Sequence, residues 1–181
     1  DGWVINEDGG AIEADGDGVV MNWGGDVTNS GGSTIDSGNI GVTIGDFGTL
    51  TNSGEGTRIT ATGGTAGALF INYDDSFDDA HVLINEAGAS IAGGSSGVAF
   101  TAGAGGSVSN TGGATISGER YGVYATGDRV TVTNSGEGSR IETTETSYDS
   151  RFTVFLAGGG EVNNTDGAKI VGASSENGIG V

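Results

Sequence analysis

The chain has 181 residues with 39 glycines, no proline and no cysteine, and its 24 Asp and Glu outnumber six Lys and Arg, giving a formal net charge of −18. This charge repels phosphate backbones and anionic lipid, so nucleic-acid binding and attachment to acidic membranes are disfavoured. Without cysteine there are neither disulfides nor thiolate metal ligands. The apolar content of 34% is too high for a disordered tail. Because no Gly-X-Y period is present, the glycines point to the tight turns of a repeat fold.

Seven segments of the pattern apolar-x-Asn begin a repeating unit. They are VIN at 4–6, VTN at 27–29, LTN at 50–52, LIN at 83–85, VSN at 108–110, VTN at 132–134 and VNN at 162–164. An Ile follows each Asn after six or seven residues and marks a second strand. A third apolar segment completes each unit: GVVM at 18–21, IGVTI at 40–44, GALFI at 67–71, GVAF at 97–100, YGVYA at 121–125, FTVFL at 152–156 and IGV at 179–181.

These units predict an all-β fold, a right-handed parallel β-helix of about seven coils of 23–33 residues. The turns between the short strands are too open for hairpins, but each strand can pair with the matching strand of the next unit. The absence of proline agrees with this fold, because proline in a stacked coil removes a ladder N–H. We expect residues 1–181 to form a single β-helix segment, a window of a longer repeat protein.

Alternation within the strands predicts three inward apolar columns. The first contains Val4, Val27, Leu50, Leu83, Val108, Val132 and Val162. The second contains Ile12, Ile35, Ile59, Ile91, Ile116, Ile141 and Ile170, and the third Val19, Val42, Leu69, Val98, Val123, Val154 and Ile179. An Asn column follows the first strands: Asn6, Asn29, Asn52, Asn85, Asn110, Asn134 and Asn164. Amides stacked about 4.8 Å apart can donate and accept along a ladder, so we interpret these Asn as structural.

Similar coils recur every third coil. The clearest case is TNSGEGTRI at 51–59, which returns as TNSGEGSRI at 133–141, and the coils therefore follow a three-coil super-repeat. In the third coil of each super-repeat, one extra residue lies between Asn and Ile. A longer excursion follows there, NYDDSFDDAH at 72–81 or TTETSYDSRF at 143–152. Partner recognition is expected where these coils bulge.

The first excursion holds a candidate cation site. Four carboxylates crowd into six residues: Asp74, Asp75, Asp78 and Asp79. Ca²⁺ takes six to eight oxygen ligands, which clustered Asp can supply, but the spacing matches neither an EF-hand loop nor the GGxGxD repeat. The loop is therefore either a calcium site or a plain solvated acidic loop, and no other cofactor is predicted.

A pair of carboxylates is the candidate for catalysis. Glu13 and Asp36 should fall on neighbouring coils, where such a pair can act as the acid and nucleophile of a glycosidase. The alternative is two solvated carboxylates in an acidic chain. The outward residues of the first strands offer no acid or base: Ile5, Thr28, Thr51, Ile84, Ser109, Thr133 and Asn163. We therefore predict that the chain is not an enzyme.

Three further polar side chains have structural interpretations. Arg58 and Arg140 occupy equivalent places three coils apart, too far to bind one anion together. Each is expected to neutralise the Glu of its own GEG turn, Glu55 or Glu137. His81 is the only histidine. A surface or turn role is predicted for it rather than catalysis.

The outward side of the third strand predicts a partly aromatic stripe. It contains Val20, Thr43, Phe70, Ala99, Tyr124 and Phe155, with Phe70, Tyr124 and Phe155 as its large members. Exposed apolar patches often mark association surfaces, so this stripe is a candidate for lateral contact or ligand stacking. The alternative is that one of the long excursions folds back and covers it.

The pattern V-T-N-S-G-x-x-x-I followed by Y-G-V-Y-A resembles the repeats of autotransporter passenger domains and related Gram-negative surface adhesins. The resemblance covers all seven coils. It implies secretion, display outside the outer membrane and work as an adhesive or structural stalk. A chain without cysteine is similar to what that family prefers for crossing a membrane unfolded.

We therefore expect an extracellular structural or adhesive β-helix on a bacterial surface, without catalysis and not itself inserted in the membrane. Its expected partners are copies of itself or host or matrix surface ligands, not nucleic acid. One alternative is a filament subunit that stacks through open coil ends, since an uncapped end is an unpaired strand edge. Another is a polysaccharide-degrading enzyme or phage tailspike, because fold alone does not decide function.

Overall fold

The computed structural model describes residues 2–73, 80–145 and 152–173. Those ranges contain 20 strands and no helix, and therefore no helix able to cross a membrane. The first sheet contains β1 Gly2–Asn6, β4 Gly25–Ser30, β7 Gly48–Ser53, β10 Ala80–Glu86, β13 Gly105–Thr111, β16 Val130–Ser135 and β19 Gly160–Thr165. The second contains β2 Ala11–Ala14, β5 Thr34–Ser37, β8 Arg58–Ala61, β11 Ser90–Gly93, β14 Thr115–Gly118, β17 Arg140–Thr143 and β20 Lys169–Val171. The third contains β3 Val19–Met21, β6 Ile40–Gly45, β9 Ala66–Ile71, β12 Ser96–Thr101, β15 Tyr121–Ala125 and β18 Phe152–Leu156.

Every strand pairs in parallel with its counterpart one coil away, which confirms the parallel β-helix. The register of the first sheet joins Val4 to Val27 and continues to Val162, so the first predicted column is confirmed along its length. The second sheet joins the seven isoleucines from Ile12 to Ile170 in the same way. Right-handed winding stays a prediction. The predicted last strand, 179–181, lies outside the described residues.

In the third sheet, the predicted alternation is wrong at one coil. Ala68, and not Leu69, pairs with Val42 and Val98 in the inward column. Leu69 pairs with Ala99 on the outer face, and Phe70 points into the core, where it is fully buried. The predicted placement of Phe70 in the outer stripe is therefore corrected. A continuous apolar run carries no alternation, so sequence alone left this register undecided.

Near the start of five of the six third-sheet strands, all but β18, a glycine lies where the chain passes close to the next coil. A Cβ atom on Gly97 would lie 2.6 Å from Cγ2 of Ile116, and one on Gly41 would lie 2.5 Å from Cγ2 of Ile59. The same relationship recurs along the helix at Gly18, Gly67 and Gly122. The Ile column from Ile35 to Ile141 therefore packs against a column of glycines, because a Cβ at these glycines would overlap the isoleucine of the next coil.

The turn after each Asn explains the twin TNSGEG motifs. The hydroxyl of Thr57 donates to the carbonyl of Ser53 at 2.9 Å and accepts the N–H of Gly32 on the preceding coil at 2.9 Å. Ser139 makes the equivalent bonds, to Ser135 at 2.7 Å and from Gly113 at 3.0 Å. In these two coils, the hydroxyl of the residue two positions before the Ile thus ties the turn to the preceding coil.

Candidate interaction surfaces

The seven Asn side chains form one continuous ladder. Each amide nitrogen in the first six coils donates to the Oδ1 of the next Asn, and every one of these bonds measures 2.8 Å. The same nitrogens also donate to carbonyls at the start of the second strands, as Asn85 does to Thr115 at 3.0 Å. The five inner Asn are fully buried: Asn29, Asn52, Asn85, Asn110 and Asn134. Their side-chain hydrogen bonds therefore join neighbouring coils.

His81 is buried in the core, and the predicted surface or turn role is wrong. It occupies a place where both neighbouring coils have glycine, Gly48 and Gly106. Its ring packs 5.0 Å from the ring of Phe70, which itself stacks 4.7 Å from Phe100. Nε2 lies 3.1 Å from Oδ1 of Asn72. The His81 side chain therefore occupies space that the glycines of both neighbouring coils leave open, and it packs with Phe70 and Phe100.

The predicted carboxylate pair does fall on neighbouring coils. Glu13 and Asp36 are register partners on the outer face of the second sheet. Arg58 binds Asp36 through two hydrogen bonds, of 2.7 and 3.2 Å. The hydrogen bonds from Arg58, reinforced by its positive charge, hold the pKa of the Asp36 carboxyl below its ordinary value although partial burial opposes the shift.

The partners of the two arginines differ from those predicted. Arg58 pairs with Asp36 of the preceding coil and not with Glu55. Arg140 pairs with Glu142 on its own strand and not with Glu137. In a stacked coil, the residue 22 positions earlier lies on the neighbouring rung, about 4.8 Å away. It can therefore pair with the arginine in place of the Glu of the local turn.

The outer face of the third sheet contains the remaining members of the predicted stripe. Tyr124 stacks on Phe155 with 5.6 Å between ring centroids, and Tyr121 and Phe152 pack beside them. All four rings are partly buried. Farther along the same face, Thr43, Leu69 and Ala99 are at most 9% exposed, whereas Val20 on the first coil is 46% exposed. The face is thus shielded over much of its length, which weakens the lateral-contact interpretation.

The acidic excursion lies outside the described residues, so Asp74, Asp75, Asp78 and Asp79 are not placed by the structure. In the part of the chain that is described, no group of three or more His, Asp or Glu is arranged to hold a metal ion. The calcium hypothesis therefore stays a prediction.

A set of exposed aromatic side chains was missed by the sequence reasoning. Trp23, Phe47 and Tyr73 each follow a third-sheet strand, at the corner where the chain turns into the next coil. Their exposed fractions are 74%, 39% and 52%. We call this set the aromatic corner. The sequence signal was an aromatic residue two positions after each of the first three third-sheet strands, outside the apolar segments on which the units were aligned.

Comparison of the chain with protein-family models, with curated proteins and with solved structures finds no match. Functional proposals for this β-helix therefore rest on its geometry, its charge and the character of its repeats.

Proposed function

We propose that the chain is part of an extracellular structural or adhesive β-helix displayed on a bacterial surface, and that it does not catalyse a reaction. The proposal rests on which side-chain positions repeat from coil to coil. Inward positions repeat from coil to coil, as the isoleucines do, whereas outward positions vary. On the second sheet the outward residues beside the isoleucines are Glu13, Asp36, Thr60, Ala92, Ser117, Glu142 and Val171. A uniform scaffold under a variable surface suits a rod that presents local contacts.

Charge and composition support an exterior location. A net charge of −18 keeps neighbouring rods apart and in solution. A chain without cysteine suits passage through a membrane in an unfolded state, and the repeats resemble those of autotransporter passenger domains.

The test is localisation of the native protein. Antibodies raised against the purified chain are expected to label the outside of intact cells in immunogold electron microscopy, and added protease should remove the label. Label that is confined to the cytoplasm would refute the proposal. Adherence of cells with and without a deletion of these coils then separates an adhesive role from a purely structural one.

A filament subunit is the second candidate, favoured by the strand edges at the ends of the sheets. Within the described residues, β1 and β19 are the outermost strands of the first sheet, and an outermost strand can pair with a strand of another chain. Electron microscopy of the native material distinguishes the candidates. Fibres with an axial repeat near the length of this chain support the filament, and isolated rods attached to cells exclude it.

A carbohydrate-active enzyme is the third candidate, and the register of Glu13 with Asp36 defines its test. A screen for reducing ends or unsaturated products on acidic and neutral polysaccharides is expected to find none. Activity that Glu13→Gln abolishes would overturn the non-enzymatic proposal.

A further inference from the structure

The aromatic corner has a regular construction. Trp23, Phe47 and Tyr73 lie on three successive coils, so neighbouring members are offset by one rung of about 4.8 Å. The rings of Trp23 and Tyr73 approach to 6.2 Å between centroids and are inclined at 51°. Trp23 and Tyr73 therefore form a ring pair, and Phe47, on the coil between them, lies against Gly24 next to Trp23.

Two of these rings lie against glycines of the preceding coils. A Cβ on Gly24 would lie 2.8 Å from Cζ of Phe47, and one on Gly45 would lie 2.6 Å from Cε2 of Tyr73. Each ring thus rests against backbone that has no side chain to push it away. Rings fixed before a ligand arrives lose little conformational entropy on binding, and this favours affinity.

The electrostatic surroundings of the corner are negative. The first 57 residues contain ten Asp and Glu but no Lys or Arg. Asp46 lies next to Phe47, and its Oδ1 accepts the N–H of Tyr73 at 2.9 Å. Asp26 is exposed three residues after Trp23. The nearest arginine in sequence, Arg58, is paired with Asp36 on another sheet.

Charge and aromatic character together select the ligand chemistry. An anion would be repelled, and a second copy of this acidic half would repel the first. A cation is attracted by the carboxylates and also by the faces of the rings, and a guanidinium suits both because it is planar and weakly hydrated. The chain makes one such contact itself, since Cζ of Arg120 lies 5.5 Å from the centroid of the Tyr121 ring.

We propose that the aromatic corner binds an arginine-containing, extended segment of a partner protein, which lies along the axis of the β-helix. The outer two rings, Trp23 and Tyr73, lie 6.2 Å apart between centroids, a length that about two extended residues cover. The proposal rests on the adhesive function and names its ligand class. Because binding is measured on the purified chain, a negative result would not bear on whether the protein lies on the cell exterior.

The experiment uses the complete 181-residue chain and fluorescein-labelled six-residue peptides of alternating Arg and Ser. Matched probes replace Arg by Lys or by citrulline, which keeps the planar shape but carries no charge. Fluorescence anisotropy is expected to give the tightest binding for the Arg peptide, weaker binding for Lys and none for citrulline. Raising the salt concentration should weaken the Arg complex, because screening reduces the attraction of the carboxylates.

Variants assign the binding to the corner. Trp23→Ala and Tyr73→Ala should each weaken binding of the Arg peptide about fivefold or more, as expected for loss of a cation–π contact. Ile5→Ala is the control: Ile5 is 58% exposed in the same coil but lies on the first sheet beside Thr28, away from Asp26, so the affinity should be unchanged. Circular dichroism of each variant checks that the fold is retained.

Three outcomes would overturn the proposal. Equal binding of the citrulline peptide would assign the corner to neutral stacking ligands, as would competition by a neutral oligosaccharide. Binding that all three variants leave unchanged would be a diffuse attraction to the acidic surface. Concentration-dependent dimerisation that Trp23→Ala abolishes would assign the corner to a second copy of the chain.

Discussion

The side-chain amide of Asn52 donates to Oδ1 of Asn85 over 2.8 Å, although 33 residues separate the two positions. Asn6 and Asn29, which are only 23 residues apart, are joined by a bond of the same length. The longest interval between ladder positions therefore leaves the ladder geometry unaltered. The extra residues of that coil are accommodated elsewhere along its contour, which allows coil length to vary without breaking the stack.

Replacing an inner ladder residue should destabilise the fold. Asn85→Ala removes the acceptor for Asn52 and the donor for Asn110, both of which are buried. We expect a loss of about 2–3 kcal/mol in the free energy of unfolding, because buried polar groups are left without partners. Urea unfolding followed by far-UV circular dichroism measures the loss.

The matched control is Asn164→Ala at the last ladder position. Asn164 is exposed and accepts one ladder bond, from Asn134. Water can replace this bond, so we expect a cost below about 1 kcal/mol. If the two variants lose the same stability, burial of the ladder does not determine its contribution.

The corrected register of the third sheet predicts a large effect at Phe70. Phe70→Ala would open a cavity beside Phe100 and His81 and should cost about 3–5 kcal/mol. Phe155→Ala, at a partly buried ring of the outer face, should cost clearly less. Thermal and urea unfolding of the two variants would contradict the register if the order of the losses were reversed.

The glycine column predicts a sharp difference between two exchanges of Gly for Ala. Gly97→Ala would place Cβ 2.6 Å from Ile116 Cγ2 and 2.8 Å from the Gly122 carbonyl oxygen. Overpacking of this kind should cost about 1–3 kcal/mol or more. Gly16 is exposed and has no atom within 4 Å of an added Cβ, so Gly16→Ala should be neutral or slightly stabilising. Equal melting temperatures for the two variants would contradict the close packing.

The ion pair between Arg58 and Asp36 predicts a small dependence of stability on pH. Arg58 lowers the pKa of Asp36 in the folded chain, so the pair stabilises the fold above the unfolded pKa, near 4. This contribution is lost as the pH falls through the lower, folded pKa. Because the pair is partly exposed, it should be worth at most about 1 kcal/mol.

Carboxyl NMR titration tests the cause of that shift. Arg58→Ala should raise the pKa of Asp36 toward its ordinary value. The pKa of Asp166 is lowered by hydroxyl donors, first Ser135 and then Thr165, so it should not respond to the substitution. An unchanged Asp36 titration in Arg58→Ala would show that another group causes the shift.

The sequence predicted the columns whose markers recur in every coil. Each second strand has an Ile at a nearly fixed distance from an Asn, so its register could be read directly. The run GALFI has four apolar residues in succession, so alternation could not show which of them point inward. The observed register places Gly67 close to Ile91. The register of this strand is set by packing between coils and not by apolar alternation within the strand.

Contacts between coils also explain the other misses. Arg58 selected Asp36 from the preceding coil, and His81 filled a space left by glycines on both sides. The aromatic corner consists of turn residues. Their side chains are not part of the core, so the alternation within the strands did not reveal them. A comparison of equivalent turn positions along the repeat would have found it.

The Asn ladder gives the β-helix a direction. Each of the six ladder bonds runs from Nδ2 of one Asn to Oδ1 of the Asn one coil nearer the C-terminus. Asn6 therefore enters the ladder only as a donor and Asn164 only as an acceptor, so the two ends of the ladder are chemically unlike. A coil added to either end continues the ladder only if it runs the same way. Any end-to-end assembly that extends the ladder must therefore be head-to-tail, a heterologous contact that generates polar, open-ended polymers and not two-fold dimers.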